Sequence, residues 1–203
     1  MRHVRLWFSG RSIRRHRSCA GFYRFRCSSW RVGRCSACKY RASQSDGGVA
    51  VSVRVPATSA NLGPGFDVLG LALSLYVEVG IIGTDATPSE AIEANDTHPA
   101  QIAFVRAGGS GRVWVKNDIP MGRGMGFSGA VRIAGVVAAE VQRDGTWHRD
   151  SSDALSIGTE LEGHADNVAP SLHGGIVITS ENIVVQVPLA LDPAFVMWIP
   201  EFT

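Results

Sequence analysis

Residues Pro120 to Ala130, PMGRGMGFSGA, place four glycines in eleven positions directly before a run with helical periodicity. That spacing suits the binding of an anion. Glycine admits a ligand close to the backbone, and the first N–H groups of a helix have no partner within it. A phosphate set there gains those donors together with the positive end of the helix dipole. Gly124-Met-Gly126-Phe-Ser-Gly129 is a literal G-x-G-x-x-G, the pattern of dinucleotide sites, and Asp144 stands near where such a site has its ribose-binding acid. The surroundings argue against that reading and against the dinucleotide-dependent oxidoreductase it implies. A dinucleotide fold needs strand, turn, helix and then a second strand ending in the acid, whereas Asp144 follows the helix directly. A Walker loop is excluded, because no G-x-x-x-x-G-K-[ST] occurs.

The elements that must position this loop are legible in the periodicity around it. Residues 50–56, AVSVRVP, alternate apolar and polar side chains and predict a strand stopped by Pro56. ATSANLGPGFD (57–67) reads as a loop of small and turn residues, and 68–82 as a strand with a bulge near Gly70. A polar connection (83–98), a short helix (99–108) and a strand (111–118) lead to the glycine loop. The helix after it runs to Gly145, and 151–163 predicts another with a Ser or Asp cap. GHADNVAPSLHGG (163–175) reads as a second special loop, 176–190 as a hairpin through Glu181–Asn182, and AFVMWIP (194–200) as a last strand.

Charge divides the chain in two. Residues 1–48 hold twelve of the twenty Lys and Arg, a single acid and all four cysteines. The remaining residues carry eight basic and seventeen acidic side chains, a net charge of about −9 (8 − 17), which disfavours nucleic-acid binding through charge. The basic leader shows no sustained periodicity, so it predicts nothing that packs on the body. Three readings of it stay open: an organelle transit peptide, a zinc site using the C-x-x-C of Cys35 and Cys38, and a disordered extension or misplaced start. No run of about eighteen apolar residues predicts a membrane span.

Three stretches taken together, VRVPATSANLGPGFDVLGLAL (53–73), IPMGRGMGFSGA (119–130) and ELEGHADNVAPSLHGG (160–175), resemble the GHMP small-molecule kinases, and among them the homoserine kinases. The first carries most weight, through the long string P-x-T-S-A-N-L-G-x-G-F-D. The resemblance covers roughly 51–203 and none of the leader. It implies an α+β fold, the family's N-terminal domain, with a mixed or antiparallel sheet packed with helices. It further implies that the family's second, ferredoxin-like domain is missing beyond Thr203, which would leave the strand 194–200 exposed, the chain prone to self-association and its activity impaired. The implied function is ATP-dependent phosphorylation of the homoserine hydroxyl, a cytoplasmic step toward threonine, with Mg²⁺ as cofactor and room for a homodimer. A GHMP kinase for another small alcohol, and a domain that binds nucleotide without turnover, stay open as alternatives.

By the same resemblance Pro120, Gly122, Arg123, Gly124, Gly126, Ser128, Gly129 and Ala130 would bind ATP, and Ser128 with Glu160 would hold the Mg²⁺. Glu162 reads as a solvated helix charge. Asn61 and Asp67 would contact the amino-acid substrate, whose ammonium needs a carboxylate or amide acceptor. His164, Asp166 and Asn167 would border the reacting hydroxyl, with catalysis resting on positioning and charge neutralisation. Two departures stand in the ATP loop: Phe127 replaces the family's first loop serine, and Gly129 an alanine. The missing hydroxyl costs about 1–3 kcal/mol of phosphate binding.

Overall fold

Two long strands, β5 (Gly48–Leu62) and β6 (Gly65–Ile81), form the antiparallel hairpin on which the molecule is built. The computed structural model describes residues 7–8, 11–12, 21–26, 38–45, 48–84, 87–151, 153–180, 183–188 and 194–199. Along β5 the alternation works as expected: Val51, Val53 and Val55 are buried, while Arg54 lies on the outer face with its guanidinium 3.8 Å above the Tyr76 ring. The stretch 57–67 is not a loop. It carries β5 on to Leu62 and reverses at Gly63–Pro64. Its small residues and Pro64 mimic turn chemistry, and the preceding Pro56, which cannot donate to a ladder, sits at a register shift that tolerates it. A second irregularity falls between the Ala60–Gly70 and Leu62–Gly65 pairings, beside the bulge expected near Gly70.

The sheet grows outward from this hairpin. β9 (Ile176–Ser180) pairs with Leu69–Leu71 at one end of β6 and carries β10 (Ile183–Val187) beyond it. β8 (Val113–Asn117) pairs with Val77–Ile81 at the other end and carries β7 (Ile92–Glu93), a short strand inside the expected polar connection. Every pairing among the described residues is antiparallel, which removes the parallel sheet a dinucleotide fold requires.

Helices α1 (Pro99–Arg106), α2 (Phe127–Asp144), α3 (Ala154–Glu162) and α4 (Val168–His173) assemble around the sheet, with a 3₁₀ turn at Arg149–Ser151. α2 packs on β5 and β6 and against the other three helices, and its residues from Gly129 to Val141 are buried except at Arg132. A Cβ at Gly135 would meet the Ala100 carbonyl oxygen at 2.4 Å, so α1 crosses α2 there. The stretch 163–175 is not wholly a loop, since α4 occupies its second half. Asp153 takes the cap position of α3 without a side-chain capping bond; its N–H donates to Glu140 Oε1 at 2.9 Å.

The described end of the leader, residues 38–45, joins the sheet. β4 (Lys39–Ser45) pairs antiparallel along the outer edge of β5. An unpaired edge there would leave a row of ladder donors and acceptors without partners. Tyr40 and Ala42 pack on the core while Lys39 and Arg41 are exposed, a two-residue alternation masked by the arginines around it. Cys38 is 3% exposed, and its N–H donates to the Leu172 carbonyl. Burial pushes its thiol up to about 12. Cys19, Cys27 and Cys35 lie outside the described residues.

β3 (Gly21–Arg26) pairs with β11 (Ala194–Ile199), so the final strand has a partner along one edge, although Val196 stays exposed. β1 (Trp7–Phe8) and β2 (Arg11–Ser12) form a two-residue ladder. No helix among the described residues is long and apolar enough to cross a membrane.

Candidate active site

Three glycines of the loop before α2 adopt left-handed backbone, with φ of 69° at Gly122, 66° at Gly124 and 62° at Gly126. Backbone of this kind builds anion-binding concavities, and only glycine enters it freely. Gly126 is the N-cap of α2 and lends it no side-chain bond, so the first-turn amides point out of the helix unpartnered by any cap. They border a cleft of about 430 Å³. Pro120, Gly122, Gly124 and Gly126 line it from the loop and Ser128 from the first turn of α2, and Asn61, Glu162 and Asn167 line it from three other segments. Its size lies within the range of small-ligand sites.

Thr58 holds the loop in place. Its N–H donates to the Met125 carbonyl at 3.1 Å, and its Oγ1 donates to Asn167 Oδ1 at 2.7 Å. Both it and Met125 are buried. A Cβ at Gly126 would come within 1.8 Å of Thr58 Oγ1 and 2.9 Å of Asn167 Oδ1. Gly126 therefore answers two demands, a left-handed φ and a contact that no side chain permits.

Behind the cleft lies a buried carboxylate. Asp166 is fully buried and accepts from Asn61 Nδ2 at 3.1 Å and from Asn167 Nδ2 at 3.4 Å, with His164 Nδ1 2.6 Å from its Oδ1. A charge in that position needs such partners. Gly70 lets β6 approach this segment, since a Cβ there would meet the Asp166 carbonyl oxygen at 2.1 Å. Of the three residues expected around the reacting hydroxyl, only Asn167 lines the cleft, and Asp166 stands behind it as a hub that orients the others.

Among the described residues, Asn61 and Asp67 are the two non-glycine residues with left-handed φ, 59° and 56°. Asn61 lines the cleft, but its amide is partly committed. Oδ1 accepts the Asp67 N–H at 2.7 Å and Nδ2 donates to Asp166, which leaves one lone pair and one hydrogen for a ligand. Asp67 meets Asn61 through its backbone and does not line the cleft. Arg123 is half-buried in the loop, and Gly129 and Ala130 are buried in the first turn of α2, Gly129 beside Asn167.

The expected metal pair is not brought together. Glu160 does not line the cleft and accepts from Arg106 of α1 with both carboxylate oxygens, at 2.9 and 3.2 Å. Residues two apart on a helix are about 200° apart around its axis, so only one of Glu160 and Glu162 can face the cleft. It is Glu162. Arg132 Nη1 bridges it to Ser128, donating to Glu162 Oε2 and to Ser128 Oγ. Among the described residues no group of three His, Cys, Asp or Glu could hold a metal ion. With a guanidinium between its two oxygen donors, the arrangement does not fit a Mg²⁺ ion there.

Sequence reasoning missed Thr58, Glu162 and Arg132. Thr58 lies inside the quoted string, where it reads as one more small loop residue. Arg132 offered one signal, a charge among the apolar positions of α2 one turn after Ser128.

Comparison with known proteins agrees with this geometry. Residues 94–175 match the model of the GHMP kinases N terminal domain. The homoserine kinase of Streptomyces coelicolor is 44% identical over 146 residues, 64% of this chain and 47% of that protein. The homoserine kinase of Clavibacter michiganensis subsp. michiganensis is 40% identical over 148 residues, 64% of this chain and 46% of that protein. The crystal structure of homoserine kinase from Cytophaga hutchinsonii superposes with a TM-score of 0.54 at 27% identity, over 74% of this chain and 54% of that one. The chain spans about half the length of the curated relatives it matches. By sequence, fold and loop geometry together, residues 94–175 match the N-terminal domain of the GHMP kinases, and the described fold around them is similar to that of homoserine kinases over about half the length of those proteins.

Proposed function

We propose that this chain supplies the nucleotide-binding half of a kinase that transfers phosphate from ATP to the side-chain hydroxyl of homoserine. One observation carries the reading: the left-handed glycine loop at the N-terminus of α2 opens into the same cleft as Asn61 and Asn167. The triphosphate takes the loop amides and the α2 dipole. Asn167 and the free lone pair of Asn61 meet the amino-acid acceptor, and Asp166 fixes both amides from behind. Asp166 is buried and committed to three partners, so it does not act as a base on the acceptor. Rate enhancement then rests on holding hydroxyl and phosphate in line and on neutralising charge with backbone N–H groups and Arg132. Mg²⁺, expected from the resemblance, receives no ligand set here, and no step is assigned to it. Such a reaction belongs in the cytoplasm and needs neither nucleic acid nor membrane.

The test is ADP release from ATP with L-homoserine, L-serine, L-threonine or mevalonate as acceptor. The reading predicts the greatest stimulation by homoserine. Equal rates with and without acceptor, or a preference for mevalonate, contradict it.

A further inference from the structure

We propose that Arg132, bonded to two residues that line the phosphate cleft, takes the place of a divalent cation beside it, so that nucleotide binds there without a metal. The inference rests on the nucleotide reading above. It goes further by assigning the charge that meets the phosphate to a residue of the chain itself.

Arg132 stands one turn after Ser128 on α2, and long helical side chains lean back toward the N-terminus, which carries its guanidinium toward the loop. There a single nitrogen, Nη1, donates to Ser128 Oγ and to Glu162 Oε2. These are the hydroxyl and the carboxylate that line the cleft and that a metal would need. The pair is largely withdrawn from water, with side-chain exposures of 21% for Arg132 and 15% for Glu162. A divalent ion placed between Ser128 and Glu162 would touch a guanidinium of like sign. Displacing that guanidinium would break a largely desolvated ion pair, a costly exchange.

The bridge also leaves arginine donors to spare. A guanidinium has five N–H groups in a planar fork that matches the oxygens of a phosphate. Glu162 anchors one side of the fork, so the group is oriented before the ligand arrives. α2 is otherwise buried from Gly129 to Val141, and packing alone gives no reason for an arginine there.

The test is calorimetric titration of the non-hydrolysable analogue AMP-PNP into the full chain, once with excess MgCl₂ and once with excess EDTA. The unaltered chain should bind with affinities that agree within about twofold. Arg132→Met should bind at least about tenfold more weakly in EDTA, the loss of one charge-assisted contact, and should recover when Mg²⁺ is added. Arg132→Lys, which keeps the charge without the fork, should fall between the two in EDTA, and it carries the comparison if the Met variant does not fold by circular dichroism. Binding by the unaltered chain that is tenfold or more tighter with Mg²⁺ than with EDTA overturns the inference and leaves the nucleotide reading intact. So does undiminished binding by the variants in EDTA. Absence of AMP-PNP binding under both conditions overturns both.

Discussion

Thr58 Oγ1 donates a 2.7 Å hydrogen bond to Asn167 Oδ1, joining residues 109 positions apart beside the cleft. The bond links β5 to the start of α4, and the backbone of the same threonine holds Met125 of the glycine loop. Thr58→Val keeps the shape and removes the donor. It should cost about 1–3 kcal/mol of stability, because Asn167 Oδ1 is left without its partner. Urea unfolding reads this directly, and Thr58→Ser should restore most of the loss. A Val variant with an unchanged midpoint would show that the bond positions nothing.

Asp166 is the sterner case. Its carboxylate is 1% exposed and faces Asn61, His164 and Asn167 together. Asp166→Ala strands those partners and should cost about 3–5 kcal/mol, a large part of a domain's net stability. His164 is 53% exposed, so His164→Ala should cost within about 1 kcal/mol. Equal losses in the two variants, measured by denaturant midpoint, would contradict the role of Asp166 as the hub.

Much of this fold was legible in the sequence, and the residues that were not share a physical cause. The Val51-Val53-Val55 alternation, the glycine loop with its helix and the β9–β10 hairpin are local patterns, and local patterns survive without tertiary context. The choice between Glu160 and Glu162 depends on where Arg106 of α1 lies relative to α3, which no spacing within α3 reveals. Thr58 gains its role only when Gly126 and Asn167 arrive from far along the chain. β4 was hidden by composition, since the arginines of the leader outweigh the weak alternation of Tyr40 and Ala42.

That edge strand makes its own prediction. Removing residues 1–37 should leave the seven-stranded sheet able to unfold cooperatively and to bind AMP-PNP. Removing residues 1–47 takes away Cys38, Tyr40 and Ala42 and uncovers the edge of β5, and should lower the urea midpoint or cause aggregation. Identical midpoints for the two truncations would show that β4 contributes nothing.

Cys38 gives the same packing a pH signature. Burial raises its thiol from 9.0 to about 12, so the folded chain keeps a proton that the unfolded chain has lost. Its contribution to stability is therefore full below about pH 9 and declines as pH rises toward about 12, by at most about 1.4 kcal/mol per unit. Urea midpoints at pH 8, 9 and 10 should fall more steeply for the native chain than for Cys38→Ala. Parallel slopes would place the thiol in water rather than in the core.

The central claim is that the glycine loop before α2 cradles the phosphates of ATP, and Gly126 tests it most directly. Its left-handed φ and the 1.8 Å approach to Thr58 Oγ1 leave no room for a side chain, whereas a Cβ at Gly124 would meet nothing within 4 Å. AMP-PNP should bind the native chain in one-to-one ratio and should still bind Gly124→Ala, whose left-handed backbone costs about 1–2 kcal/mol of folding stability. It should not bind Gly126→Val at all. Calorimetry that finds the same affinity for Gly126→Val as for the native chain would contradict the claim.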